Sequence, residues 1–230
     1  MSAAVGSGSP ARRRGPSKGD LKERAILESA ERLLAQKSLY ELSVDELARG
    51  AGISRPTFYF YFESKFAVVQ ALVEEIVEDT FAAALSWLER TTEAPDEAIR
   101  SSIAVGTRHW RDHGAVLRAA VQSLEVFPEM DRFWETITRR FVDAVAVRIE
   151  EERDAGLARP APPDAHALAT ALIWMNERCF YTASIGTNPS LTYDELIETL
   201  TTVWLRSIYG TDKPIEARAV GTNGTKESAR

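Results

Sequence analysis

The chain has 230 residues, of which 44% are hydrophobic and 27% charged, the composition of a globular protein that can bury a core of its own. A single cysteine excludes an internal disulfide, and three histidines disfavour a zinc site built from these residue types. No segment has the pattern of a secretory signal and no uncharged apolar run is long enough to span a bilayer, so we expect a soluble cytoplasmic protein without membrane contact.

Charge is distributed unevenly along the chain. The net charge is −6, but residues 1–66 carry 11 Lys and Arg against 8 Asp and Glu, while residues 67–230 carry 17 against 26. A net charge of +3 followed by −9 hints that the N-terminal part faces nucleic acid. Residues 1–19 contain little that could be buried and include Arg12–Arg14, which predicts a disordered basic arm. That arm is either a solvated tail or a segment that touches DNA.

Helical periodicity and capping patterns predict nine helices and no strand between this arm and a second disordered tail at 211–230. The first helix is expected from Asp20 to about Gln36, the second opens at a capping box of Ser43 and Glu46, and the third is capped by Ser54. Six further helices are predicted over about 63–90, 95–114, 115–127, 128–156, 164–185 and 192–210. The fold class is therefore expected to be all-α.

Predicted helices 2 and 3, with a turn at Gly52, have the lengths of a helix-turn-helix. Phe58 and Phe62 are four residues apart, so they share a face that we expect to pack inward, while Phe60 points away from it. Four successive aromatic residues at 59–62 cannot all face inward, which argues against a helix that serves only as core. An outward aromatic side chain could instead meet a thymine methyl group or a sugar.

The N-terminal half of the third helix is expected to enter the major groove. Arg55 is the candidate for a bidentate bond to guanine, because its guanidinium matches the acceptors of that base. Tyr59 and Tyr61 offer hydroxyls to phosphate oxygens, and Lys65 could neutralise a phosphate. The complete set of predicted DNA contacts is Ser43, Val44, Ser54, Arg55, Pro56, Thr57, Tyr59, Phe60, Tyr61 and Lys65.

The segment from Gly52 to Phe62, followed by Ser64 and Lys65, resembles the recognition-helix signature of TetR-type repressors, and residues 42–48 also fit. Shorter motifs at 152–156, 175–178 and 207–210 are similar to the EthR subgroup, the repressor of ethionamide activation, whereas residues 90–135 are less similar. The resemblance implies a nine-helix TetR-type fold. Residues 20–66 would bind DNA, and residues 67–210 would bind an effector and dimerise.

The resemblance further implies that helices 5 to 7 enclose an effector pocket lined by aromatic side chains. Asn176 stands out in an apolar helix, because a buried amide needs a partner. Its counterpart in the EthR subgroup bonds a ligand carbonyl, while the alternative is an asparagine bonded across a dimer. The expected effector is small and apolar or lipophilic, with a carbonyl. The predicted ligand contacts are Trp110, Trp134, Phe141, Trp174, Asn176, Phe180 and Trp204.

Predicted helix 8 is apolar almost all round from Leu168 to Met175, so it should be buried on more than one side. Together with helix 9 it could form a four-helix interface between two protomers, as the resemblance also implies. A two-fold homodimer would match a palindromic operator. The predicted interface residues are Leu168, Leu172, Met175, Leu196, Leu200 and Val203.

These observations predict a ligand-responsive, DNA-binding transcriptional regulator, a repressor without cofactor that a small effector releases from double-stranded operator DNA. An activator of the same fold, or a helical interaction protein with a vestigial helix-turn-helix, remain alternatives. An enzyme is disfavoured, because no nucleophile with a base, Gly-rich phosphate loop or metal-ligand spacing is present. His109 and His113 are four residues apart but lack the surrounding pattern of a zinc site.

Overall fold

The structure, a computed structural model, describes residues 18–89 and 94–211. Within those residues it contains nine α-helices and no strand, which confirms the predicted all-α fold. The predicted basic arm at Arg12–Arg14 and the tail beyond residue 211 lie outside the described residues. The helices are α1 Lys18–Leu34, α2 Val44–Gly50, α3 Arg55–Tyr61, α4 Lys65–Leu88, α5 Pro95–Asp112, α6 Gly114–Ser123, α7 Pro128–Asp154, α8 Ala165–Ile185 and α9 Tyr193–Ile208.

Side-chain caps set several of these helix ends. The predicted capping boxes at the starts of α2 and α9 are both formed, and Asp164 caps α8 by accepting from the backbone of Ala167. One start was predicted wrongly: α1 already includes Lys18, so Asp20 lies in its first turn, where a negative charge suits the helix dipole. Helix α4 starts at Lys65 rather than at residue 63, because the side chain of Ser64 accepts from the backbone N–H of Ala67, three residues further on, and acts as its cap.

The chain divides into two compact units that meet between Val69 and Gln70. In the first unit α1 packs on α2 and α2 on α3, around fully buried Ile26, Leu47 and Phe58. The crossing of α1 and α2 is close: a Cβ added to Gly50 would lie 2.1 Å from the hydroxyl oxygen of Ser29, so this position needs glycine. That hydroxyl donates to the carbonyl of Leu47 at 3.1 Å and ties the two helices together.

The second unit is organised by two helix pairs, α7 with α8 and α5 with α9. Their buried faces supply a core that includes Ile149, Leu196 and Leu200. One ion pair lies inside this unit: Arg148 and Glu152 are one turn apart on α7, are 3% and 1% exposed, and are bonded to each other. The arrangement leaves space between the helix pairs, and a cavity occupies it.

Candidate nucleic-acid interface and ligand cavity

Helix α3 presents two chemically different faces. Its buried face carries Phe58, which is 0% exposed, and Phe62 at the C-cap is 7% exposed, so the predicted inward pair is confirmed. On the other face Phe60 is 82% exposed and Tyr59 is 46% exposed. Phe60 is thus a large apolar side chain of α3 that the fold leaves in water, as its helical spacing predicts.

The start of α3 is fixed by a local network. The backbone N–H of Thr57 donates to Ser54 Oγ at 3.3 Å, and the two hydroxyls lie 2.8 Å apart. Pro56 occupies the first turn, where its missing N–H costs nothing. Of the remaining predicted DNA contacts, Ser43 is exposed, while Val44 and Tyr61 are half-buried. The hydroxyl of Ser43 is already bonded to Glu46 in the α2 capping box.

Arg55 is exposed, and its guanidinium is held over α3 by two partners. It donates to Asp45 Oδ2 at 3.0 Å and to the Tyr59 hydroxyl at 3.3 Å. The hydrogen bond that Arg55 donates to Tyr59 and the charge of Asp45 raise the pKa of Arg55 above its usual value. Sequence reasoning missed Asp45, which belongs to α2 and lies ten residues from its partner. A first-turn acid beside the turn of a helix-turn-helix is the signal that could have pointed to it.

Lys65 occupies a different position from the expected one. Its ammonium donates to the carbonyl oxygens of Leu39 at 2.7 Å, Tyr40 at 3.2 Å and Leu42 at 2.7 Å. All three protons are therefore directed at the backbone of the loop before α2, and partial burial lowers the pKa of this lysine. In this arrangement Lys65 holds the loop at the start of α4, and its predicted contact with a phosphate stays a prediction.

A cavity of about 170 Å³ lies in the second unit and is lined mainly by apolar side chains. The structure brings six of the seven predicted ligand contacts to its wall: Trp110, Trp134, Phe141, Asn176, Phe180 and Trp204. The seventh, Trp174, is 45% exposed on α8 and is not among the residues that line this cavity. Helices 5 to 7 also do not enclose the space alone, because α4 and α8 contribute further wall residues, among them Ile76, Val77, Thr80, Trp87, Ile173 and Glu177.

Asn176 has a partner within its own protomer. The indole N–H of Trp204 donates to Asn176 Oδ1 at 3.0 Å. Because an indole nitrogen can only donate, this bond identifies which end of the amide is oxygen. The Nδ2 hydrogens are left as donors at the cavity wall, which is the polarity that a ligand carbonyl needs.

His109 is a second polar group of the wall that sequence reasoning considered only as a zinc ligand. Its Nδ1 lies 2.8 Å from Thr80 Oγ1, and the Thr80 hydroxyl donates its one proton to the carbonyl of Ile76, also at 2.8 Å. Toward the ring Thr80 is therefore the acceptor, so Nδ1 carries the proton and Nε2 is an acceptor in the neutral ring. Burial, and then the nearby charge of His113, lower the pKa of His109 and favour that neutral form.

The expected dimer residues divide into two groups. Leu172, Leu196 and Leu200 are 3%, 0% and 1% exposed within a single protomer, so they pack in its own core. Leu168, Met175 and Val203 remain partly accessible. The outward face of α8 carries exposed residues at helical spacing: Ala167, Ala171, Trp174, Arg178 and Ile185.

None of the helices in the described part of the chain combines the length and the apolar character that crossing a membrane requires. No group of three or more His, Cys, Asp or Glu side chains at 18–89 and 94–211 is placed to hold a metal ion. The thiol of Cys179 is partly buried, and this burial raises its pKa.

Comparison with known proteins agrees with both units. Residues 26–72 match the model of bacterial regulatory proteins of the tetR family, and residues 99–210 match the C-terminal domain of the transcriptional regulator EthR. The HTH-type transcriptional regulator EthR of Mycolicibacterium smegmatis is 41% identical over 193 residues, 84% of this chain and 88% of that protein. EthR of Mycobacterium tuberculosis is 40% identical over 196 residues, 85% of this chain and 90% of that protein.

Solved structures agree on the fold. The crystal structure of a TetR-family transcriptional regulator from Rhodococcus sp. superposes with a TM-score of 0.66 at 14% identity, over 82% of this chain and 98% of that chain. The sequence relatives are transcriptional regulators, and they cover most of the chain at 40–41% identity. The chain therefore belongs to the TetR family of bacterial helix-turn-helix transcriptional regulators and resembles EthR within it.

Proposed function

We propose that this regulator is a repressor that binds operator DNA as a homodimer and is released by a small lipophilic effector. The observation that supports the proposal is that one chain contains both an exposed recognition surface and a separate ligand cavity. The first unit exposes Arg55, Tyr59 and Phe60 on a short helix, and the second encloses a cavity walled by tryptophan and phenylalanine. A surface for DNA together with a cavity for an apolar molecule is what a ligand-controlled regulator requires.

For DNA, α3 supplies the direct contacts. The exposed guanidinium of Arg55 can form a bidentate bond with guanine, provided that it leaves or shares Asp45. The exposed ring of Phe60 can cover a thymine methyl group, and the hydroxyl of Tyr59 can meet a phosphate. Ser43, Val44, Ser54, Pro56, Thr57 and Tyr61 surround these contacts, and we propose that they position the backbone of the duplex.

For the effector, the wall of the cavity favours an apolar body with few polar groups. Four of the five tryptophans of the chain line it, namely Trp87, Trp110, Trp134 and Trp204. Asn176 Nδ2 offers hydrogen-bond donors, so a carbonyl is the expected polar group. Helix α4 begins in the first unit and supplies Ile76 and Thr80 to the cavity in the second. An effector that changes the packing of α4 can therefore change the affinity for DNA.

For the dimer, we propose the outward faces of α8 and α9. The apolar face of α8 that carries Ala171, Trp174 and Ile185 is exposed on a single protomer, and Val203 of α9 is partly exposed. Leu168 and Met175 flank this face. A two-fold pairing of these surfaces would present two copies of α3, one to each half of a palindromic operator.

No catalytic function is proposed: in the cavity wall the Thr80 hydroxyl lies beside His109, but it donates its proton to the carbonyl of Ile76 and not to the imidazole. A regulator that binds operator DNA acts in the bacterial cytoplasm, where that DNA lies. An activator with the same contacts would differ only in where the operator lies relative to the promoter.

The experiment that tests the proposal is a fluorescence-anisotropy titration against the DNA upstream of the protein's own gene, with unrelated DNA as the competitor and two salt concentrations. We expect binding that survives the competitor, with at least two protomers per site and a strong dependence on salt. Arg55→Ala should relax the preference at one base pair in each half-site, at a cost of about 1–3 kcal/mol, whereas Tyr59→Phe should weaken binding evenly across sequences. Equal affinity of wild type and Arg55→Ala for every sequence would refute this role of α3. Equal, weak binding to both DNAs would refute the proposed operator.

A further inference from the structure

Most of the polar atoms in the cavity wall are already bonded within the protein. The hydroxyl of Ser102 donates to the carbonyl of Ala98 at 2.8 Å, and that of Thr80 donates to Ile76. Asn176 Oδ1 accepts from Trp204. The groups without a partner in the protein include two donors, Asn176 Nδ2 and Trp134 Nε1, and two acceptors, the carboxylate of Glu177 and His109 Nε2.

Glu177 lies on the face of α8 that lines the cavity. Ile173, Asn176, Glu177 and Phe180 are spaced i, i+3, i+4 and i+7, and all four belong to the wall. In the described residues Glu177 forms neither a hydrogen bond nor an ion pair. The adjacent Arg178 points elsewhere, with its guanidinium 5.2 Å from the centre of the Tyr181 ring.

In the protein without a ligand, the position of this carboxyl group is energetically unfavourable. Taking a carboxylate out of water without a partner is unfavourable, and burial in fact raises the pKa of Glu177, with only a smaller opposing effect from Arg178. The helix could carry an apolar residue at this position if only packing mattered. A ligand that supplied a positive charge would remove the cost.

We propose that the effector contains a basic nitrogen, a protonated amine that donates to the Glu177 carboxylate and to His109 Nε2. The inference deepens the proposed function, because it names the chemical class of molecule for the same cavity. The bond from His109 Nδ1 to Thr80 keeps the ring in the tautomer whose Nε2 accepts. Trp110, Trp134 and Trp204 belong to the same wall, and aromatic rings attract positive charge. A carbonyl near the amine would meet Asn176 Nδ2, one residue before the carboxylate.

The test compares probes that share an apolar chain and differ in the head group: octylamine, octanol and octanoate. Binding is followed by tryptophan fluorescence, because four tryptophans line the cavity. Wild type should bind octylamine about tenfold to a hundredfold more tightly than octanol, the range for one or two charge-assisted hydrogen bonds, and octanoate most weakly. In Glu177→Gln the preference for the amine should fall to within about threefold, with the affinity for octanol unchanged. The control variant Glu125→Gln changes an exposed glutamate outside the cavity, and it should retain the wild-type preference for octylamine over octanol.

His109→Leu should reduce the preference for octylamine by a smaller factor than Glu177→Gln, because it removes a neutral acceptor rather than a charge. Equal binding of octylamine and octanol by wild type, or an unchanged preference in Glu177→Gln, would overturn the inference while leaving an apolar effector in place. If none of the three probes binds, the cavity itself is not an effector site, and the proposed ligand response fails together with the inference. DNA affinity, measured separately, is independent of all these outcomes.

Discussion

Replacing Lys65 by methionine separates a structural role for this side chain from a role in DNA binding. The substitution keeps the length of the aliphatic chain and deletes the three bonds from Nζ to the carbonyls of Leu39, Tyr40 and Leu42. A hydrogen bond to a charged group contributes about 1.5–3 kcal/mol when it is buried. This site is only half-buried, and water can replace part of the loss, so we expect about 2–4 kcal/mol in total. For a chain of this size, that loss lowers the melting temperature by roughly 5–15 °C.

The assay is thermal unfolding followed by circular dichroism, combined with the salt dependence of operator binding. Lys22→Met is the matched control, because Lys22 is an exposed lysine in the same unit, and its loss should change the melting temperature by no more than about 1–2 °C. In Lys65→Met the slope of log affinity against log salt should stay at the wild-type value. If the melting temperature is unchanged and the slope instead falls by about 0.9, the lysine neutralises a phosphate and the structural assignment is wrong.

Four further predictions concern both units. Trp174→Lys should convert the dimer into a monomer, as measured by analytical ultracentrifugation. Val147→Lys, which changes an exposed apolar residue of α7, should remain a dimer and serves as the control. If Trp174→Lys is still a dimer, the proposed interface is wrong. Glu152→Ala should cost about 2–4 kcal/mol in denaturant unfolding, because it removes the buried partner of Arg148 and leaves only the longer pair with the exposed Glu151. A loss below about 1 kcal/mol would refute that account. Asn176→Leu should spare operator affinity but weaken the binding of octanamide, measured by tryptophan fluorescence; equal binding would leave Asn176 with a structural role only. The hydrogen bonds from Lys37 and then Ser43 lower the pKa of Glu46 to about 2. The contribution of Glu46 to stability should therefore be complete above pH 4.5 and be lost as the pH falls towards 2. In Glu46→Gln the melting temperature should depend less on pH in that window.

Local chemistry explains why the first unit was largely predictable from sequence. The capping box of α2 involves residues three apart, and the inward and outward faces of α3 follow from helical spacing alone. The position of Lys65 depends instead on carbonyls 23 to 26 residues earlier in the chain. Such a contact exists only after the loop has folded back onto the start of α4. Residue spacing therefore identified Lys65 as an important positive charge, but it did not predict which acceptor atoms bind its ammonium group.

The second unit shows where a one-dimensional pattern is insufficient. An almost uniformly apolar α8 indicates burial on several sides, but it does not say which side meets the protomer's own core. That choice is made by the packing of α8 against α7 and of α9 against α5. Leu172 and Leu200 are consequently buried within the protomer, and Trp174 is exposed, a difference that the apolar pattern of α8 and α9 does not predict. Six of the aromatic and amide residues expected at a ligand site do meet at the cavity, because large side chains leave gaps where helix pairs diverge.

The two faces of α8 connect the proposals. One face carries Asn176 and Glu177 into the cavity, and the other carries Trp174 and Ile185 toward the proposed partner subunit. A helix is stiff, so a ligand that moves the first face must also move the second, and α4 provides a separate covalent route from the cavity to the unit that contains α3. Because coupling between two binding sites is reciprocal, operator DNA must weaken effector binding by the same factor by which the effector weakens operator binding. A factor of about a hundred corresponds to a coupling free energy of about 2.7 kcal/mol. The exchange of one or two hydrogen bonds in the cavity between the two states is enough to supply it.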